Sequence, residues 1–228
     1  MASPKASLPG LIRVVVLFLA MATHSTSLTA QQVSPLATLP ITVSNVTALL
    51  QRVQAANPFD LETNSTGRIL SVTLRQDLAT DDTLTLITNL GSLRRLVIMP
   101  NRRGNLTTRG ISALSSLTNL VSLHLSCSGN LPEGVFREIC NLTQIRCLAL
   151  YGARPPESEY SGITNLQNLV QLNVTYCTNF GDRQLSLITN LPNLRSIEVW
   201  ADALSAHATN LLARMNTLTN IATKPNYR

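Results

Sequence analysis

One feature constrains this chain more than any other: a six-residue pattern of apolar positions, L-x-x-L-x-L, that recurs at nearly constant spacing through its middle. The copies are Ile69-Leu70-Ser71-Val72-Thr73-Leu74, Leu93-Arg94-Arg95-Leu96-Val97-Ile98, Leu120-Val121-Ser122-Leu123-His124-Leu125, Ile145-Arg146-Cys147-Leu148-Ala149-Leu150, Leu169-Val170-Gln171-Leu172-Asn173-Val174 and Leu194-Arg195-Ser196-Ile197-Glu198-Val199. Their starts differ by 24, 27, 25, 24 and 25 residues. Positions four and six alternate as the buried face of a short strand does. One such strand cannot bury its own leucines, so the copies must stack into a continuous core. Between the cores, residues 81–90, 108–117 and 182–191 each begin on an N-cap type residue and carry apolar residues at helical spacing. The unit is a strand, a loop and a short helix. Composition follows from it: 39 leucines, 25 threonines and 19 asparagines among 228 residues, with only 13% charged, which excludes a charged disordered tail protein.

Six cores at this period resemble the leucine-rich repeat family, whose units run about 20 to 29 residues. The resemblance implies an α/β solenoid, an arc with parallel strands on the concave face and short helices on the convex face. The ninth position, which the family fills with Asn or Cys, holds Asp77, Asn101, Ser128, Ala153, Cys177 and Asp202. Only Asn101 and Cys177 fit, so the asparagine ladder expected there is incomplete, and Cys177 is the one likeness to the cysteine-containing subtype. The expected domains are a signal peptide over 1–27, an amino-terminal helical cap over 31–66, about six repeats over 67–216 and a tail over 217–228. Within the cap, Val46, Leu49, Leu50, Val53 and Ala56 share one helical face, and Asn57-Pro58 stops that helix.

The amino end has signal-peptide anatomy: Lys5 and Arg13, then an apolar run of nine over 14–22, then small polar residues, with the cut between 22 and 30. That run is under half of the roughly 20 residues that span a bilayer. The expectation is a secreted chain without stable membrane insertion. Sequons at Asn45, Asn64, Asn105, Asn141 and Asn173 suit glycosylation on that route. The formal charge of +6 includes Lys5 and Arg13, leaving +4 after cleavage, too weakly basic for a nucleic-acid binder. Four cysteines, Cys127, Cys140, Cys147 and Cys177, allow up to two disulfides or none, and their pairing stays open. Cys127 and Cys147 stand about five strand positions out of register, roughly 15 Å, which argues against a bond between them.

No nucleophile elbow, phosphate loop or zinc-ligand spacing is present, and His124 near Cys127 lacks a third group, so neither catalysis nor a cofactor or metal is expected. Binding is expected instead, from the outward strand positions. These carry Arg75, Arg94, Arg95, His124, Arg146 and Arg195 against one acid, Glu198, with Tyr151, Tyr176 and Trp200 near the carboxyl end. Arg, Tyr and Trp dominate binding hot spots. The partner expected is a protein, with an anionic glycan as the other ligand this charge suits. Two further readings stay open: a surface or matrix component that displays glycans without a specific ligand, and an intracellular scaffold or ubiquitin-ligase adaptor, as some relatives of the subtype are. A glycan on Asn173, at position five of its strand, would stand in the mouth of the face.

Overall fold

The computed structural model describes residues 45–100, 106–200 and 204–224, all within one compact unit spanning 40–228. Eight strands form one sheet in chain order: β1 (Leu61–Thr63), β2 (Ile69–Gln76), β3 (Arg95–Pro100), β4 (Ser122–Asn130), β5 (Cys147–Arg154), β6 (Gln171–Asn173), β7 (Ser196–Trp200) and β8 (Asn220–Lys224). β1 runs antiparallel to β2, and every later pair is parallel. The repeat cores lie in register. Position four makes one unbroken row, Val72, Leu96, Leu123, Leu148, Leu172, Ile197 and Ile221. Leu93, Leu120, Ile145, Leu169 and Leu194, the first positions of units two to six, are fully buried behind that row.

The connecting segments carry α2 (Asp81–Ile87), α3 (Thr108–Ala113), α4 (Val135–Cys140), α5 (Asp182–Ile188) and α6 (Ala206–Arg214), preceded at the amino end by α1 (Val46–Ala56). Asn45 caps α1 by accepting the Ala48 N–H at 2.8 Å. The segment between β5 and β6 is instead a 3₁₀ helix, Glu157–Asn165, entered through Pro155 and Pro156. Its Tyr160 sits between Phe136 and Phe180, with ring centroids 5.3 and 5.9 Å away, so one aromatic stack joins three units behind the sheet.

Two hydrogen-bond ladders tie unit to unit. From Arg94 onward the carbonyl at position two accepts two N–H groups of the next unit: Arg94 from Val121 and Ser122, Arg146 from Val170 and Gln171, Arg195 from Thr219 and Asn220, with Val121 and Val170 alike. The second ladder uses the side chain just before each core. Asn119 donates to Gly91 O, Gln144 to Leu117 O, Asn168 to Thr143 O and Asn193 to Gln167 O, at 2.8–3.3 Å. This ladder runs at the end of the core opposite the family's ninth position, and it accounts for the pairs Asn119-Leu120, Asn168-Leu169 and Asn193-Leu194.

The sheet extends one strand further than the repeat pattern alone implies. Residues 217–228, expected as a tail, supply β8, which pairs with β7 from Ser196↔Asn220 to Trp200↔Lys224. Its core, Leu218-Thr219-Asn220-Ile221-Ala222-Thr223, starts 24 residues after Leu194 but ends on threonine, so the apolar count misses it. No helix among the described residues is long and apolar enough to cross a membrane.

Candidate binding face

Strand alternation sends positions four and six into the core and positions three, five and seven to the open face. Along position three run Ser71, Arg95, Ser122, Cys147, Gln171, Ser196 and Asn220; along position five run Thr73, Val97, His124, Ala149, Asn173, Glu198 and Ala222. Position seven adds Arg75, Met99, Ser126, Tyr151 and Trp200. Second-position residues do not join them. Arg94, Arg146 and Arg195 precede their strands and lie exposed along one edge of the sheet, because position two shares the parity of the buried positions. Arg195 also donates to Pro192 O and Leu194 O of its own turn.

Arg75 is spent on structure. Its Nε and a terminal nitrogen donate to Asp60 at 2.6 and 2.9 Å, and Asp60 is only 4% exposed. This bidentate pair locks the amino-terminal cap onto β2. Arg95 is different. It is exposed and has no ion-pair partner among the described residues, and its charge reaches across β4 to β5. Burial first, and Arg95 second, hold His124 below the usual imidazole value, so His124 is neutral at pH 7.

The carboxyl half of the face holds a connected network. Asn173, buried, donates from Nδ2 to the Tyr151 hydroxyl at 3.1 Å and to Glu198 Oε2 at 2.6 Å. Its Oδ1 accepts the N–H and hydroxyl of Thr175 at 3.0 and 2.7 Å. Asn173 is thus a buried framework residue and not an open attachment point for a glycan. Burial, then Glu198, raises the Tyr151 phenol above its ordinary value. Beyond this network the Tyr176 and Trp200 rings meet edge to face, centroids 4.6 Å apart at 86°. Tyr176 is 48% exposed, whereas Trp200 Nε1 is buried with no acceptor.

Tyr176 reaches its place through a left-handed backbone, φ 64°. It is the eighth position of its unit, and the eighth positions of two other units, Gln76 at 47° and Gly152 at 66°, turn the same way. The turn is held by Asn173 Oδ1 on one side and by the buried Cys177, whose Sγ donates to Leu150 O at 2.8 Å, on the other.

All four thiols are free and poorly disposed to react. Burial pushes Cys127 up to about 11 and Cys140 and Cys177 up to about 12, and raises Cys147. With His124 held neutral as well, no thiolate–imidazolium pair forms at pH 7. Among the described residues no group of three His, Cys, Asp or Glu side chains could hold a metal ion. The sequons Asn45, Asn64 and Asn141 lie away from the open face, at the α1 cap, in the β1–β2 turn and at the end of α4; Asn105 and the expected signal peptide fall outside the described residues.

Comparison of the sequence with protein-family profiles and with curated proteins finds no match. Solved structures are similar: an internalin (inlF) of Listeria monocytogenes, 17% identical over 62% of this chain and 38% of its own, TM-score 0.45. An internalin C2 of the same organism is 17% identical over 61% of this chain and 55% of its own, TM-score 0.40. A leucine-rich repeat protein of Leptospira interrogans is 18% identical over 80% and 46%, TM-score 0.44. The chain thus spans between 38% and 55% of the length of these proteins. What decides the fold is the repeat itself, its cores carried in register through seven consecutive strands. The fold is a leucine-rich repeat solenoid. Within it the open sheet face is the one surface where an unpaired Arg95, the Tyr151–Asn173–Glu198 network and the Tyr176–Trp200 pair converge, over five adjacent strands.

Proposed function

We propose that the protein is a secreted, non-catalytic leucine-rich repeat glycoprotein that binds another protein through the open face of its sheet. The observation that carries this is Tyr176: a large ring, half exposed, held outward by a left-handed turn and braced against Trp200. Conformations of that kind persist where surrounding structure enforces them, and they concentrate at functional sites. Arg95 on β3 of the same face, with Arg94 and Arg146 along the edge, suits an acidic partner surface. One observation favours an anionic glycan as a second reading: Arg94, Arg146 and Arg195 recur in every second unit, roughly 10 Å apart at about 4.8 Å per strand, a regular row for a polymer of repeating negative charge.

The test is capture of partners from extracellular extract by the tagged mature protein. Replacing Tyr151 and Trp200 with alanine is expected to weaken capture at least about tenfold with little change in melting temperature. Unchanged capture would remove the face from the mechanism. A sulfated oligosaccharide that competes away the captured protein, and loses that power when Arg94 and Arg146 become alanine, would favour the glycan reading. Secretion has its own check, the recovery from culture medium of a chain lacking residues 1 to about 27.

A further inference from the structure

We infer that Tyr176, Trp200 and Glu198 form a subsite for a lysine or arginine side chain carried by the partner. The inference rests on the open face being the binding face, and it names the chemistry of one end of it. An edge-to-face pair leaves a right-angled corner between two electron-rich ring faces, and such faces attract an ammonium or guanidinium. Glu198 stands two residues before Trp200 on β7, hence on the same side of the sheet.

Its carboxylate is half-buried and receives a hydrogen bond from Asn173, a neutral donor that positions it without neutralising it. Among the described residues it has no cation partner, although Arg95 and Arg146 stand unpaired elsewhere on the sheet. A carboxylate drawn partly out of water, on the same side of the sheet as the aromatic pair and without an ion-pair partner among the described residues, attracts a cation from outside.

Arg95 on β3 and Glu198 on β7 are four strands apart, roughly 19 Å at about 4.8 Å per step. An extended segment covers that in about six residues at ~3.3 Å each. The partner segment therefore carries an acidic side chain at one point and a basic one about six residues along.

Trp200 is the only tryptophan in the chain, so its indole N–H resonance reports on the corner without ambiguity. The mature protein would be titrated with the capped amino acid N-acetyl-lysine-amide and, separately, with its Nε-acetylated form, which keeps the shape and loses the charge. The expected result is a saturable shift of the indole resonance, with millimolar affinity, by the charged probe alone. Glu198→Gln, which still offers Asn173 an acceptor, is expected to weaken that binding at least about fivefold, and Trp200→Phe to leave a weaker site read by the Tyr176 resonances. Equal responses to the two probes, or none to either, would overturn the subsite. A capped hexaglutamate peptide separates the two levels: binding of it that perturbs residues around Arg95 leaves the open face as a binding face even if the lysine probe fails. Failure of both probes would overturn the subsite and the acidic-partner reading together.

Discussion

Tyr176 shows how one residue can be set against its own backbone. The eighth position of a unit must turn left-handed in the units of Gln76, Gly152 and Tyr176, and only the middle one uses the residue that does so freely. A bulky side chain there costs on the order of 1 kcal/mol, sustained because Asn173 and Cys177 pin the turn from both sides. Tyr176→Gly should therefore raise stability by about 0.5–1 kcal/mol, a rise of roughly 2–3 °C in melting temperature for a chain of this size, while removing one wall of the aromatic corner. Calorimetry beside the lysine-probe titration checks both halves; a fall in melting temperature would show that the ring contributes more to packing than its conformation costs. The aromatic residues and Arg95 of this face are legible from the repeat alignment, because residues 24 or 25 apart become neighbours once the period is known, as Asn173 and Glu198 do, whereas Arg94, Arg146 and Arg195, expected on the face, lie along its edge. The Arg75–Asp60 lock is not legible in that way. Asp60 comes from the irregular cap, which has no period to align.

At the scale of elements, the convex helices are too short to stand alone and are joined by carboxylates that bridge units. Asp81 at the start of α2 accepts the N–H and hydroxyl of Thr107, the cap of α3; Glu159 accepts the N–H of Gly134 and Arg137 at the start of α4; Asp182 does for Ser205, the cap of α6, what Asp81 does for Thr107. The helices within 81–90, 108–117 and 182–191 are legible from their apolar spacing, although Asp81, Thr108 and Asp182, expected as caps, are the first helical residues behind the caps Thr80, Thr107 and Gly181; these bridges depend on which unit each acid faces. Two outcomes follow. Gly110 in α3 approaches so close that an added Cβ would lie 2.8 Å from the Asp81 Cα and 2.3 Å from its carboxylate. Helix propensity favours alanine there by up to about 1 kcal/mol, but forcing α2 and α3 apart costs about 1–3 kcal/mol and also disturbs the Thr107 cap. Gly110→Ala should thus lower the denaturant midpoint, and a rise would mean that α2 gives way freely. Asp182 supplies a pH signature, because the Ser205 hydroxyl and N–H hold its carboxyl below the ordinary value. A depressed folded value means the contribution is complete above the unfolded value of about 3.9 and disappears as pH falls through the folded one. Melting temperatures of wild type and Asp182→Asn should differ most between about pH 5 and 7 and converge by about pH 2. A gap that persists in acid would assign the effect to the amide substitution itself.

For the whole molecule, the solenoid separates what must stay constant from what can carry recognition. Core positions repeat from unit to unit, so fold class and strand register are legible from a few leucines, and even β8, whose core ends on threonine, keeps the 24-residue step. The open positions do not repeat, and the side chains there pair by neighbourhood across strands, which no single unit reveals. The same division bears on where sugar can sit. Asn45 caps α1 through its oxygen, Asn64 holds the β1–β2 turn through its oxygen, and Asn141 is exposed at the end of α4, so at each the amide nitrogen is left to carry a glycan off the open face. Asn173 has its amide nitrogen committed to Tyr151 and Glu198, and a glycan on it would break both hydrogen bonds and fill the middle of the face. Peptide mapping of protein secreted from a eukaryotic host should therefore find glycan at Asn45, Asn64 and Asn141 and an unmodified Asn173. Two groups depend on that outcome: Glu198, which needs the Asn173 amide to hold its carboxylate beside Trp200, and Tyr176, whose turn needs the same side chain's oxygen. Glycan at Asn173 on most molecules would instead make the open face a display surface and remove the binding reading along with the lysine subsite.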